Sequence, residues 1–148
     1  MTARRTAQLH ASCVAIGGRG VLIRGRPGAG KSDLALRLID AGARLVADDR
    51  VAVARRGDTL VATAPRAIRG LIEARGLGIL AVRPAARARL RLIVDLVPAG
   101  RVARLPRPAT RTILGVRLPR LALAAFEASA AAKVRLAVRA AARDKLAP

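Results

Sequence analysis

The feature that most constrains the fold is a glycine-rich segment, GRPGAGKS, at residues 25–32. It matches the pattern G-x-x-x-x-G-K-[ST] and lies between an apolar run at 20–24 and a segment with helical spacing at 32–41. Glycines let consecutive N–H groups point inward, and the following helix adds positive potential at its N-terminus. The sequence therefore predicts a strand, a phosphate-binding loop and a helix in that order.

This loop is predicted to bind the phosphates of a nucleotide together with Mg²⁺. Lys31 would reach the outer phosphates, and the Ser32 hydroxyl is placed to bind Mg²⁺. The candidate nucleotide-binding residues are Gly25, Arg26, Pro27, Gly28, Ala29, Gly30, Lys31 and Ser32. The loop alone does not identify the reaction, because motors, switches and small-molecule kinases all contain loops of this kind.

The rest of the chain alternates strand-like and helical segments. Strands are predicted at 12–16, 20–24, 43–47, 51–55, 59–63, 77–82 and 90–97. Helical stretches are predicted at 32–41, 65–73 and 127–143, a surface loop at 98–112, and a segment of ambiguous character at 116–126. We therefore expect one α/β domain over residues 1–148, with a central mixed sheet and flanking helices.

Two adjacent carboxylates, Asp48 and Asp49, follow the strand predicted at 43–47. An unpaired buried carboxylate is costly, so a cation should lie near them. One helix and one strand separate Lys31 from Asp49, a path that should return the chain to the strand beside the phosphate loop. Because neighbouring strand residues point to opposite faces, one carboxylate would orient Mg²⁺ or its water while the other accepts a proton from an attacking hydroxyl. The alternative is a solvated turn that balances two neighbouring arginines.

Composition narrows the class of function. The 29 Lys and Arg against nine Asp and Glu give a net charge of +20, which suggests nucleic acid or another anionic partner. The alternative is that the arginines only coat solvated faces. A single Phe is the only aromatic residue, so no aromatic platform accompanies the charge and nucleic-acid binding is disfavoured. The lone Cys13 excludes an intrachain disulfide and fits a reducing compartment. No apolar run approaches membrane-spanning length and the N-terminus is a poor signal peptide, so we expect a cytoplasmic protein.

Two further features complete a pattern with the loop and the acidic pair: the lone His10, and EARGLGIL at 73–80. With GVLIRGRPGAGKSDLAL, GARLVADDRV and ATAP, they run in order over roughly residues 10–97. This set resembles the catalytic domain of HPr kinase/phosphorylase, which phosphorylates a seryl residue of the phosphocarrier protein HPr and can reverse the reaction. A weaker match continues through 101–106 and 113–121.

The resemblance implies roles for particular residues. By motif, the catalytic residues correspond to His10, Lys31, Asp49 and Arg104, and the Mg²⁺ ligands to Ser32 and Glu73. Asp49 would be the acceptor of the seryl proton. The resemblance also implies ATP and Mg²⁺ as cofactors and, as the partner, HPr or an HPr-like carrier of the phosphotransferase system.

The chain also departs from the family pattern. It begins almost at His10, which predicts a short form without the family's N-terminal domain, and a homo-oligomer is compatible with the resemblance. FEASAAAKVR (126–135) stands where the loop tied to dephosphorylation would lie, so phosphorolysis, which consumes inorganic phosphate and releases pyrophosphate, is expected to be weaker than the kinase activity.

Three other functions stay open at this stage. They are a small-molecule kinase on the same loop, a nucleotide-binding regulator with reduced catalysis, and a nucleic-acid-binding module driven by the charge.

Overall fold

The structure, a computed structural model, describes residues 5–142. Its strands are β1 Thr6–Leu9, β2 Ala11–Ile16, β3 Arg19–Arg24, β4 Arg44–Ala47, β5 Val51–Arg56, β6 Thr59–Thr63, β7 Leu71–Ala74, β8 Gly78–Ala81, β9 Ala88–Leu96, β10 Ala109–Ile113 and β11 Val116–Leu123. Its α-helices are α1 Lys31–Asp40 and α2 Ala130–Ala142, with short 3₁₀ helices at Arg66–Ile68 and Ala99–Arg101. Neither α-helix in this part of the chain is long and apolar enough to cross a membrane.

The large sheet is mixed, as the sequence predicts. Its strand order is β1-β5-β6-β9-β3-β2-β4, and β11 pairs with the C-terminal part of β9 while β10 pairs with β11. Strands β3, β9 and β11 are parallel, so their carboxyl ends lie at one edge of the sheet. That edge is where open α/β sheets place their ligands.

The central strands are buried on both faces, which is why they read as continuous apolar runs. Val21 and Ile23 of β3 face a core cluster that includes Leu34 of α1 and Val138 of α2. Leu22, between them in sequence, belongs to the cluster on the opposite face. The two layers of apolar side chains hold β3 rigidly, and the phosphate loop starts at its end.

The predicted helical stretch at 65–73 is wrong. Only the 3₁₀ turn Arg66–Ile68 is helical there, and β7 begins at Leu71. Ile72 and Ala74 are buried while Glu73 between them is exposed, which is the period of two that a strand requires. Gly70, with φ of 75°, turns the chain into this strand.

Three other predictions need correction. The segment 77–82 is a strand but not a core strand, because β8 is exposed throughout and pairs with β7 in a separate two-stranded sheet. The loop predicted at 98–112 ends early, at β10, which joins β11 through a tight turn with positive φ at Leu114 and Gly115. The predicted helix at 127–143 begins at Ala130, and residue 143 lies outside the described residues.

Candidate active site

The phosphate loop connects β3 directly to α1, as predicted. Gly28 and Gly30 have φ values of 82° and 102°, a region that favours glycine. A Cβ on Gly30 would lie 2.7 Å from the Cβ of Ala125, so the loop is also closely packed. The first N–H groups of α1 lack partners within the helix and are available to an anion at the loop.

Lys31 is the buried cation of this loop, with only 8% of its surface exposed. Its Nζ donates to the carbonyl oxygens of Gly25 at 2.8 Å and Arg26 at 3.3 Å. The same nitrogen lies 3.8 Å from Oδ1 of Asp49. The ammonium group is therefore held by the loop backbone, next to one carboxylate of the acidic pair.

Asp48 is the centre of a hydrogen-bond network that joins three elements. Its Oδ1 accepts from Ser32 Oγ at 2.6 Å and from Ser12 Oγ at 3.0 Å. Its Oδ2 accepts from the backbone N–H of Glu73 at 3.0 Å. We call Ser12, Ser32, Asp48, Asp49 and Glu73 the acidic flank of the phosphate loop.

The route to the acidic pair differs from the prediction. Strand β4 does not neighbour β3, because β2 lies between them in the sheet. Ser12 of β2 spans this gap: it is fully buried, donates to Asp48 and accepts from the backbone N–H of Asp49 at 3.0 Å. Ser12 was not among the predicted site residues. The signal that could have revealed it is a hydroxyl inside the apolar strand ASCVAI.

The predicted strand alternation does not apply to the acidic pair, because β4 ends at Ala47 and both carboxylates lie beyond it. Asp49 has a left-handed φ of 63°, and its side chain is 69% exposed. Asp48 contacts the Ser32 hydroxyl, whereas Asp49 lies beside the Lys31 ammonium. The two carboxylates therefore have different surroundings, and the accessible one is Asp49.

Three other predicted site residues, Glu73, His10 and Arg104, differ in how they relate to the Asp48 network. Glu73, on β7, joins it through its backbone N–H, and its side chain is exposed. Ala11 pairs with Arg24 across β2 and β3, so His10 lies at the sheet edge where the phosphate loop begins. Arg104 is exposed on the loop after β9.

An ion-pair cluster lies directly before the phosphate loop. Asp95 of β9 accepts from Arg24 Nε at 2.7 Å and from Arg120 Nε at 2.8 Å. Burial alone would raise the pKa of Asp95, but the hydrogen bonds and charges of the two guanidinium groups outweigh it and hold the pKa below its ordinary value. The cluster joins β3, β9 and β11 at the edge that carries the loop.

Cys13, the only cysteine of the chain, is not a candidate nucleophile. Cys13 is fully buried, and burial raises its pKa to about 12. A thiolate nucleophile is therefore excluded at neutral pH.

Comparisons with known proteins point to a single family. The family model described as HPr Serine kinase C-terminal domain matches residues 2–146. The chain is 43% identical over 129 residues to the HPr kinase/phosphorylase of Limosilactobacillus reuteri (strain DSM 20016), covering 78% of this chain and 40% of that protein. It is 40% identical over 132 residues to the HPr kinase/phosphorylase of Geobacillus thermodenitrificans, covering 80% of this chain and 42% of that protein.

A solved structure extends the comparison to three dimensions. The Hpr(Ser) kinase/phosphatase from Coxiella burnetii superposes with a TM-score of 0.76 at 27% sequence identity, covering 93% of this chain and 95% of that chain. The chain covers much less of the curated relatives, since its match spans about 40% of the length of the two kinases/phosphorylases named above.

Proposed function

The chain belongs to the HPr serine kinase C-terminal domain family, and we propose that it is an ATP-dependent protein-serine kinase acting on HPr or an HPr-like phosphocarrier. The observation that carries the proposal is the 2.6 Å hydrogen bond between Ser32 and Asp48, with Lys31 and Asp49 beside it. Together these residues place a phosphate-loop hydroxyl, a cation and two carboxylates of different accessibility in one site. Such a set suits phosphoryl transfer to a hydroxyl group.

The residues fit Mg²⁺. Ser32 and Asp48 offer oxygen donors, the ligands that Mg²⁺ prefers, and Glu73 would add a third from β7. Residues 5–142 contain no group of three or more His, Cys, Asp and Glu arranged to hold a metal ion by themselves. This agrees with a cation that takes one or two carboxylates from the protein and completes its shell with water and phosphate oxygens. Mg²⁺ bound there would offset charge on the phosphates.

Asp49 is the base in this proposal. It takes the proton of the seryl hydroxyl as that oxygen attacks the γ-phosphorus of ATP and the bond to the leaving ADP oxygen breaks. Its 69% exposure lets a protein substrate reach it, and the Lys31 ammonium lies 3.8 Å from its Oδ1. Lys31 also offsets phosphate charge from within the loop.

His10 and Arg104 keep the catalytic roles that the family implies. His10 is suited to orienting a group at the sheet edge where the phosphate loop begins, because an imidazole can donate one hydrogen bond and accept another. Arg104 suits a phosphate oxyanion through its planar guanidinium, and the exposed loop on which it lies allows it to approach a bound substrate.

The positive charge serves the protein partner. A net charge of +20 should raise the association rate with an acidic or phosphorylated carrier and make that rate fall with added salt. We place the enzyme in the cytoplasm, since its only cysteine is a buried free thiol.

The reverse reaction uses the same groups. Inorganic phosphate would attack the seryl phosphate, the bond to the serine oxygen would break, Asp49 would return its proton to that oxygen, and pyrophosphate would form. Two phosphates repel, and the family loop that helps dephosphorylation is replaced here by 126–135. We therefore propose a phosphorolysis weaker than the kinase activity.

The test is incubation of the protein with labelled ATP, Mg²⁺ and a purified HPr-type carrier, followed by mapping of the labelled residue. A phosphorylated serine in the carrier is the expected product. Lys31→Ala should lower the transfer rate by about 10²-fold or more, on the scale of losing one charge-stabilising donor. Transfer to a small molecule in place of the carrier, or normal transfer by Lys31→Ala, would refute the proposal.

A further inference from the structure

A cavity of about 720 Å³ lies beside the phosphate loop, on the side away from the acidic flank. In the sheet, β9 borders β3 on one side, and β2 followed by β4 borders it on the other. The cavity is lined by the outer residues of the loop and by the segments that follow the carboxyl ends of β9 and β11. It therefore opens beside the first half of the phosphate loop, and its volume is typical of small-molecule sites.

The walls of this cavity are largely apolar. We call Pro27, Leu96, Pro98, Ala99 and Phe126 the apolar flank of the phosphate loop. Arg26 and Arg101 also line the cavity and add positive charge, and the one carboxylate of the lining, Glu127, is paired with Lys133 at 2.8 Å. Apolar walls with a few cations suit a ligand that has both a planar apolar part and an anionic part.

Phe126 is the most informative residue of this flank. It is the only aromatic residue of the chain, yet 71% of its surface is exposed. Burying a Phe side chain contributes about 2 kcal/mol or more to folding, which this position does not obtain. Its ring lies against the phosphate loop, since a Cβ on Gly30 would come within 2.9 Å of the Phe126 Cζ.

The backbone around Phe126 is fixed to the same helix that follows the phosphate loop. Arg37 of α1 donates to the carbonyl oxygen of Glu127 at 3.2 Å and also to that of Ala125. Asp33 of α1 holds the Arg37 guanidinium at 2.9 Å. The turn that carries the exposed ring therefore has a defined position relative to the loop, as a preformed ligand site requires.

We propose that the apolar flank is the nucleoside subsite of this protein, with the base of ATP stacked on Phe126 and its triphosphate reaching the phosphate loop. The proposal deepens the proposed kinase function and rests on nucleotide binding to that loop. Stacking suits the ring because every base presents a π-face, and Arg26 and Arg101 suit the adjoining phosphates. The acidic flank is then left free for Mg²⁺ and the seryl hydroxyl.

Calorimetric titration with two ligands tests this placement. ATP carries a base, whereas inorganic tripolyphosphate carries the phosphates alone. Phe126→Ala should weaken ATP binding about tenfold, the scale of one lost base stack, and leave tripolyphosphate binding unchanged. Leu136→Ala, an equally simple truncation of an exposed side chain on α2, should change neither. Equal weakening of both ligands, or no weakening of ATP, would overturn the proposal.

A second variant tests the same site by fluorescence. The chain contains no Trp and no Tyr, so Phe126→Trp would introduce a single fluorophore at the proposed subsite. ATP should quench its emission by stacking, and tripolyphosphate should not. The same response to both ligands, or no response to ATP at a concentration that calorimetry shows to be saturating, contradicts the subsite.

These outcomes separate the subsite from the kinase proposal. ATP binding that depends on Phe126 without transfer to any carrier would support the subsite and reject the kinase. Transfer to a seryl residue, with an ATP affinity that Phe126→Ala does not change, would support the kinase and reject the subsite.

Discussion

On its β2 side the phosphate loop meets hydroxyl groups and carboxylates joined by short hydrogen bonds, and on its β9 side it meets apolar side chains around a cavity. The acidic flank is fixed through side-chain hydrogen bonds, so removal of one group leaves a partner unsatisfied. The apolar flank is fixed through its backbone, with the Phe126 ring left exposed. The difference supports the proposed division, with phosphoryl transfer on the acidic flank and nucleoside binding on the apolar flank.

The largest effect should come from the acidic flank. Asp49→Asn keeps the shape of the side chain but cannot accept the seryl proton, so the transfer rate should fall about 10³-fold, or about 4 kcal/mol. The affinity for ATP should change little, because Asn keeps the shape of the side chain and the nearby Lys31 ammonium is held by the carbonyl oxygens of Gly25 and Arg26. Rate and affinity are measured by steady-state transfer and calorimetry. A variant that transfers normally, or that loses ATP binding instead of rate, would contradict the division between the flanks.

Two glycines of the loop, Gly30 and Gly28, provide a matched pair of variants that tests how far packing against the 124–127 segment stabilises the loop. Gly30→Ala would place a Cβ 2.7 Å from the Cβ of Ala125 at a left-handed φ, and should lower the free energy of unfolding by about 3 kcal/mol. Gly28→Ala has open space around its Cβ, so only the backbone strain of about 1 kcal/mol remains. Urea unfolding measures both. Equal losses would mean that contact with the 124–127 segment does not fix the loop.

The ion-pair cluster of Arg24, Asp95 and Arg120 directly precedes the phosphate loop and should affect stability rather than chemistry. Asp95→Asn leaves Arg24 and Arg120 without their carboxylate, which should cost about 2 kcal/mol of unfolding free energy at pH 7. Because the folded-state pKa of Asp95 is lowered, its contribution is fully present above the unfolded value of about 3.9 and is lost as pH falls through the folded value.

The difference between the wild type and Asp95→Asn should therefore be constant near neutral pH and shrink below about pH 4. Urea unfolding across pH measures it. A difference that grows on acidification would mean that Asp95 is not stabilised as the anion.

The smallest expected effect belongs to Ser12, which acts through Asp48 and Asp49. Ser12→Ala removes a hydrogen bond to each, and we expect a transfer rate about tenfold lower, or about 1.4 kcal/mol, at unchanged ATP affinity. Ser12→Cys, which nearly preserves the volume, should behave like Ser12→Ala. Full activity in Ser12→Cys would assign Ser12 to packing, and a loss of ATP affinity in either variant would place it in binding.

Much of the site could be predicted because its signals are local. The phosphate loop needs only glycines at set positions between a strand and a helix, so residues 25–32 identified it completely. The strands at the centre of the sheet were predicted because burial on both faces leaves a continuous apolar run. Glu73 was identified as a candidate site residue although the helix predicted for 65–73 was wrong. The motif that identified it depends on residue types rather than on backbone conformation.

What the sequence alone determined was therefore the α/β class, the phosphate loop and the presence of two carboxylates after a buried strand. Only the tertiary structure decided that β2 lies between β3 and β4, that Ser12 bridges this gap, and that Asp48 rather than Asp49 contacts Ser32. It alone brought Phe126 to the phosphate loop, which lies far from it in sequence. The physical reason is that strand order and cavity walls depend on burial and pairing between distant segments, and no local pattern of residues encodes which segments those are.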